Sequence, residues 1–292
     1  MNEKDIRNIN IIKALCPPFI YCFIMMTVQV IISMDIFVNQ VKFLAKKGSA
    51  NYADSYSFAD IVENNMDKYS YIITLISAII AVMVFGIWYY KVSEGYEKSG
   101  FIKQFEVKRL EKPLLIVMFG LFGGLGLSRF VSLLPLDNII GNYEETSNAL
   151  MGGNLFIQIL SLAIIVPVAE ELIYRGLVFT GLTKVMDAKY AIFGASALFG
   201  VFHFNLLQGT YAFLLSLILV CIYMKYRTIL APIIIHSVAN LAAVISSYFG
   251  ISEFFNKSLL LYIIIMIVEL SAGILLFVLI FGEERKEDNY NI

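Results

Sequence analysis

Runs of apolar residues, each near the length of a membrane crossing and parted by short polar breaks, fill this chain from Ala14 onward. A helix rises 1.5 Å per residue, so about 20 apolar positions reach across a ~30 Å hydrocarbon layer. Eight such runs are legible, at roughly 14–38, 70–90, 113–135, 154–181, 189–206, 210–225, 229–249 and 258–281. They predict an all-α fold: a polytopic membrane helical bundle of about eight transmembrane helices. No low-complexity tract or long-period repeat divides them, so residues 1–292 read as a single integral-membrane domain. The polar stretch at about 39–69 reads as an external loop with partial order. The first run contains Pro17 and Pro18, lacks a small-residue cleavage site and reads as a retained helix.

Composition agrees with this picture. Hydrophobic residues make up 59% and charged residues 15% of the 292, where a soluble domain carries about 25% charged residues. The lipid bilayer is therefore the expected surrounding, and a net charge of −1 gives no reason to expect nucleic acid as a partner. Cys16, Cys22 and Cys221 sit in apolar runs without paired or metal-type spacing and read as small core or lipid-facing side chains. With eight passes and the N-terminus inside, fifteen basic residues fall on the cytoplasmic side and five outside. The positive-inside rule then places both termini in the cytoplasm.

Small residues mark where helices pack. Gly120, Gly123, Gly124 and Gly126 lie on the third run, and Ala191, Gly194, Ala195 and Ala197 on the fifth; in lipid such positions let backbones approach closely. Arg129, inside the third run, is expected to snorkel or to pair at an interface. Tyr211, Tyr223 and Tyr226 read as interfacial anchors around the sixth run.

The candidate chemistry lies in polar groups at membrane depth, which are costly and mark function by default. Both histidines of the chain, His203 and His236, fall in apolar runs, and a third run carries Glu170-Glu171 with Arg175 one turn later. Glu171 and Arg175 are i,i+4 neighbours and can pair, while Glu170 lies about 100° around the helix and can face a cavity. His236 and Asn240 share the same i,i+4 relation. A helical hairpin turning near Met186-Asp187 would bring Glu170 and His203 to one depth, each about 25 Å from the turn. For His236 to join them, that hairpin must project beyond the bilayer, with the polar break Asn205–Gly209 ending the helix early inside a wet cavity. Pro167, three residues before Glu170, is expected to kink its helix and open backbone groups near the site.

A carboxylate and an imidazole can jointly hold and deprotonate a water. A second imidazole beside an asparagine amide supplies donors for a tetrahedral oxyanion. Together they compose an amide hydrolase without a covalent intermediate. No Ser or Cys nucleophile pattern accompanies the histidines, and H-E-x-x-H is absent from the sequence, against serine-type and zincin layouts.

The three patterns Glu170-Glu171-x-x-x-Arg175, Phe199-x-x-x-His203 and His236-x-x-x-Asn240 resemble the E-E-x-x-x-R, F-x-x-x-H and H-x-x-x-[NDB] signatures of the CAAX prenyl endopeptidase family, also called the Abi or CPBP family of intramembrane proteases. The resemblance covers roughly 154–249, which reads as a catalytic core of that kind. It implies an integral-membrane endopeptidase, of type II CAAX protease character, whose site opens to the cytoplasmic side and acts on a hydrophobic or membrane-anchored peptide. Carried over, Glu170 with His203 would activate water, and His236 with Asn240 would bind the oxyanion. Glu171 and Arg175 would support the site, and Phe199 would pack beside it. In a bacterial plasma membrane without protein prenylation, the resemblance suggests maturation of a bacteriocin or signal peptide, or self-immunity.

Two mechanisms follow from the family: a metal-free glutamate type, favoured here with no cofactor because Asn240 is a poor zinc ligand, and a zinc type with Glu170, His203 and His236 as ligands. Two other function classes compete. A proton-coupled transporter also buries Glu and His, but usually shows internal repeats and paired broken helices that this sequence lacks. A catalytically idle scaffold or immunity protein would have no use for the complete polar set.

Overall fold

The computed structural model describes residues 3–46, 58–98, 110, 112–136, 139–140, 147, 150–151 and 154–282. Among them every regular element is helical. In chain order these are α1 (Glu3–Lys46), α2 (Phe58–Lys98), α3 (Pro113–Ser132), α4 (Leu155–Leu182), α5 (Ala188–Val201), α6 (Leu206–Tyr226), α7 (Leu230–Tyr248), α8 (Ile251–Asn256) and α9 (Leu259–Phe281). All eight apolar runs become helix. Seven of these helices are long and apolar enough to cross a membrane, and the chain is an integral membrane protein. The remaining one, α5, has 14 residues and a length of about 21 Å, short of the hydrocarbon thickness.

The polar loop expected at 39–69 is shorter than its composition suggested. Helix α1 runs on through Lys46 and α2 starts at Phe58, so the polar flanks extend the spans; residues 47–57 lie outside the described residues, as do most of 136–153 and all of 283–292.

Two close approaches set the positions of the polar groups. A Cβ on Gly124 would stand 2.6 Å from the Ala239 Cβ, and one on Gly120 would stand 2.8 Å from the Ile235 carbonyl. These two glycines, four apart, let α3 lie directly on α7 at the level of His236 and Asn240. Between α5 and α6, a Cβ on Gly200 would meet the Gly209 carbonyl at 2.7 Å. That contact closes a tight reversal at His203–Asn205. Phe204 takes a left-handed backbone (φ 53°), a conformation uncommon for a residue with a side chain. Asn205 then caps α6 by accepting from the Gln208 N–H at 3.0 Å.

Helix α4 is not uniformly wound. Residues Ile159–Ile165 and Leu172–Phe179 are π-helical, on either side of an α-helical piece, Val166–Glu171. Such widened turns recur at functional sites, where they re-aim side chains. Leu172–Phe179 is buried throughout, and its inner face joins a core with Phe85 and Tyr89 of α2 and Phe199 of α5.

Several side chains sit elsewhere than the sequence suggested. Tyr223 and Tyr226 are buried core residues and Tyr211 lines a cavity, so none of the three is an exposed interfacial anchor. Cys22 lines the same cavity as Glu170; all three cysteines are free thiols. Of the two expectations for Arg129, pairing holds. Its Nε meets the Glu269 carboxylate of α9 at 2.8 Å.

Candidate active site

Glu170, Phe199, His203, His236 and Asn240 all border one cavity of about 520 Å³. They arrive from α4, α5, the turn after α5, and α7. His203 is therefore a turn residue at the mouth of the α5–α6 reversal and lies outside the helix its apolar setting suggested. The helical hairpin does turn where expected, between Leu182 and Ala188.

Glu171 organises the buried side of the site. Its Oε1 accepts from the Arg175 guanidinium at 2.8 Å and from His236 Nδ1–H at 2.8 Å. Both Glu171 and Arg175 are fully buried, so each charge depends on the other for compensation. Arg175 also donates to the Ser216 hydroxyl at 3.0 Å, which ties α4 to α6. Nothing in the local pattern around Ser216 distinguishes it from other helical serines, and sequence reasoning passed over it.

The imidazoles are oriented by these contacts. His203 Nδ1–H donates to the Phe199 carbonyl at 2.6 Å, so the neutral ring keeps its Nε2 lone pair. His236 Nδ1–H is committed to Glu171, and its Nε2 stands 3.6 Å from Glu170 Oε2. That separation is just beyond a direct hydrogen bond. Glu170 lines the cavity, the placement that its 100° offset from Glu171 allows.

Phe199 sits at the centre of the group. Its ring meets Tyr174, His203 and His236 edge to face at 4.7, 4.9 and 5.8 Å, and the Arg175 guanidinium lies 5.0 Å over it. It packs the site, as expected, and fixes four of its neighbours at once.

Asn240 is held by backbone. Its side-chain N–H donates to the Leu162 carbonyl at 2.9 Å. In the π-wound stretch the Val166 N–H bonds five residues back, to Ser161. The equivalent donor for Leu162 would be residue 167, and Pro167 has no N–H. The opened backbone group that Pro167 promised is thus the one that positions Asn240.

Among the described residues no three His, Cys, Asp or Glu side chains stand close enough to hold a metal ion. Each ring is tied to oxygen through Nδ1, which leaves its Nε2 towards the cavity.

Residues 152–242 match the family model described as type II CAAX prenyl endopeptidase Rce1-like. The matched stretch is similar to this family's domain, and it contains all seven residues of the three patterns. With seven helices fit to cross a bilayer, the coarse class is an intramembrane endopeptidase. No curated protein and no solved structure matches the chain.

Proposed function

We propose that the chain hydrolyses a peptide bond in a hydrophobic or membrane-anchored peptide, using a water activated by Glu170 and His203. The observation that supports this reading is the meeting of a cavity-facing carboxylate, two oriented imidazoles and an anchored amide around one space of about 520 Å³.

Each group has a part that its contacts allow. The His203 Nε2 lone pair and the Glu170 carboxylate hold a water and Glu170 takes its proton. The hydroxide adds to the scissile carbonyl carbon. The resulting oxyanion meets the second N–H of the Asn240 amide and the Nε2–H of His236, which donates when the ring is protonated. Glu170 returns the proton to the leaving nitrogen as the C–N bond breaks. Glu171, with Arg175, holds the His236 ring by its far nitrogen and keeps Nε2 aimed at the reacting group. No step in this mechanism depends on a metal.

The excess of basic residues on one side of the bundle supports a cytoplasmic cavity mouth and cytoplasmic termini, with α5 serving as a return pass. In a bacterial plasma membrane, maturation of a bacteriocin or signal peptide, or self-immunity, is the role we favour. The test is cleavage of a hydrophobic reporter peptide by purified protein in detergent. Glu170→Gln, His203→Ala and His236→Ala should each abolish cleavage while the protein still accumulates; full activity in Glu170→Gln would overturn the proposal.

A further inference from the structure

A second, smaller cavity of about 170 Å³ lies beside the first, between α3, α4, α6 and α7. The two share five wall residues, Leu150, Leu162, Gln208, Tyr211 and Asn240, so they lie side by side, and Asn240 stands at the waist between them. The chambers differ in character. The larger is walled by Tyr21, Met25, Val166, Phe202, Phe204 and Leu215 in addition to the polar set. The smaller has Ser128, Ser132, Gln208, Tyr211 and Asn240 among its walls, with Ala243 one turn beyond Asn240, and no charged side chain among the described residues.

We propose that the two chambers open into each other at this waist and that the smaller is a specificity subsite, taking the residues on one side of the scissile bond and admitting small, uncharged side chains. The assignment rests on the endopeptidase reading above. If Asn240 receives the oxyanion, the scissile carbonyl lies at the waist. A peptide bound in extended form advances about 3.3 Å per residue, so successive residues leave the waist in opposite directions, one flank into each chamber. The wide, aromatic chamber suits the apolar, membrane-derived flank. The narrow chamber has about a third of the volume and offers hydroxyl and amide groups without a counter-charge. A Lys, Arg, Asp or Glu side chain there would be desolvated and unpaired. The chamber must also house the peptide backbone, and at about 170 Å³ it is little larger than the ~150 Å³ that a lone benzene ring fills, so an aromatic residue with its backbone would not fit. Ala243 and Ser128, which border this chamber alone, set its size.

The experiment is a panel of hydrophobic reporter peptides varied one position at a time on both sides of the cleaved bond, with products read by mass spectrometry. Wild type should cleave peptides bearing Gly, Ala or Ser on one flank at least ten times faster, in kcat/KM, than those bearing Phe, Lys or Glu there, and should tolerate large apolar residues on the other. Ala243→Phe, at an exposed helix position where folding is tolerant, should penalise Ala and Ser on that flank more than Gly. Cleavage with equal rates for small, large and charged residues on both flanks overturns the subsite while leaving the endopeptidase reading intact. An Ala243→Phe effect that is uniform across the panel overturns it as well. Absence of any cleavage that Glu170→Gln removes overturns the endopeptidase reading itself, and the subsite with it.

Discussion

The side-chain amide of Asn240 donates to the backbone carbonyl of Leu162, 78 positions earlier in the chain, at 2.9 Å. This bond crosses from α7 to the π-wound part of α4, and it exists because Pro167 offers that carbonyl no N–H. One hydrogen of the amide is thereby spent on orientation, and the other remains for the cavity.

Restoring the missing donor should therefore weaken catalysis more than folding. Pro167→Ala supplies an N–H that competes with Asn240 for Leu162. We expect kcat to fall on the order of tenfold with little change in KM, a fraction of the ~10²–10³-fold lost when one oxyanion donor is removed outright. Asn240→Ala should show that full loss. Melting of the detergent-solubilised Pro167→Ala protein should be unchanged or raised, since a helix-interior proline is replaced. An unchanged kcat would remove Pro167 from the positioning of Asn240.

The adjacent glutamates should separate cleanly. Glu170 faces the cavity, and Glu170→Gln should cost activity while leaving Tm near wild type. Glu171 is fully buried and accepts from both Arg175 and His236. Glu171→Gln leaves a buried guanidinium without its carboxylate, and breaking such a pair costs about 3–5 kcal/mol. A large fall in Tm together with lost activity is the expected result. Equal Tm values for the two variants would contradict the division of labour.

How much of this was legible in the residues differs from place to place. The apolar runs located every long helix, because hydropathy alone decides what can sit in lipid. The motif spacings placed Glu170 in the cavity and Glu171 on Arg175, since helix periodicity fixes which face each occupies. The break at His203 was blurred: Phe202 and Phe204 are apolar, so the run looked continuous to 206, and Asn205 was read as interruption when it is also the cap of α6. The three tyrosines misled for a related reason. An aromatic near the end of an apolar run suits an interface, but Tyr223 packs against Phe179 at 6.1 Å inside the core. Ser216 and the Leu162 carbonyl carried no signal, because their partners lie 41 and 78 residues away.

Chelation gives a further test. Among the described residues no three candidate ligands converge. Cleavage should persist after dialysis against a strong chelator, and stoichiometric zinc should be lacking in the purified, active protein. Activity lost on chelation and restored by zinc would replace the glutamate-type mechanism by one in which Glu170 and the Nε2 atoms of His203 and His236 hold the metal.

The Arg129–Glu269 pair offers a control on the rule that charges at membrane depth mark function. It joins α3 to α9 at 2.8 Å, with both side chains buried. The guanidinium lies 5.3 and 5.7 Å from the rings of Phe255 and Tyr262, and Tyr262 donates its hydroxyl to the Arg129 carbonyl at 2.8 Å. Neither charge borders either cavity, so the pair belongs to the architecture of the bundle. Glu269→Gln should lower Tm by stranding the arginine, while kcat/KM per folded molecule stays at the wild-type value. Replacing both residues by leucine should recover much of that loss, because an apolar pair avoids the desolvation of two charges. A fall in kcat/KM in the refolded, stable double variant would instead tie this pair to the cavity across α3.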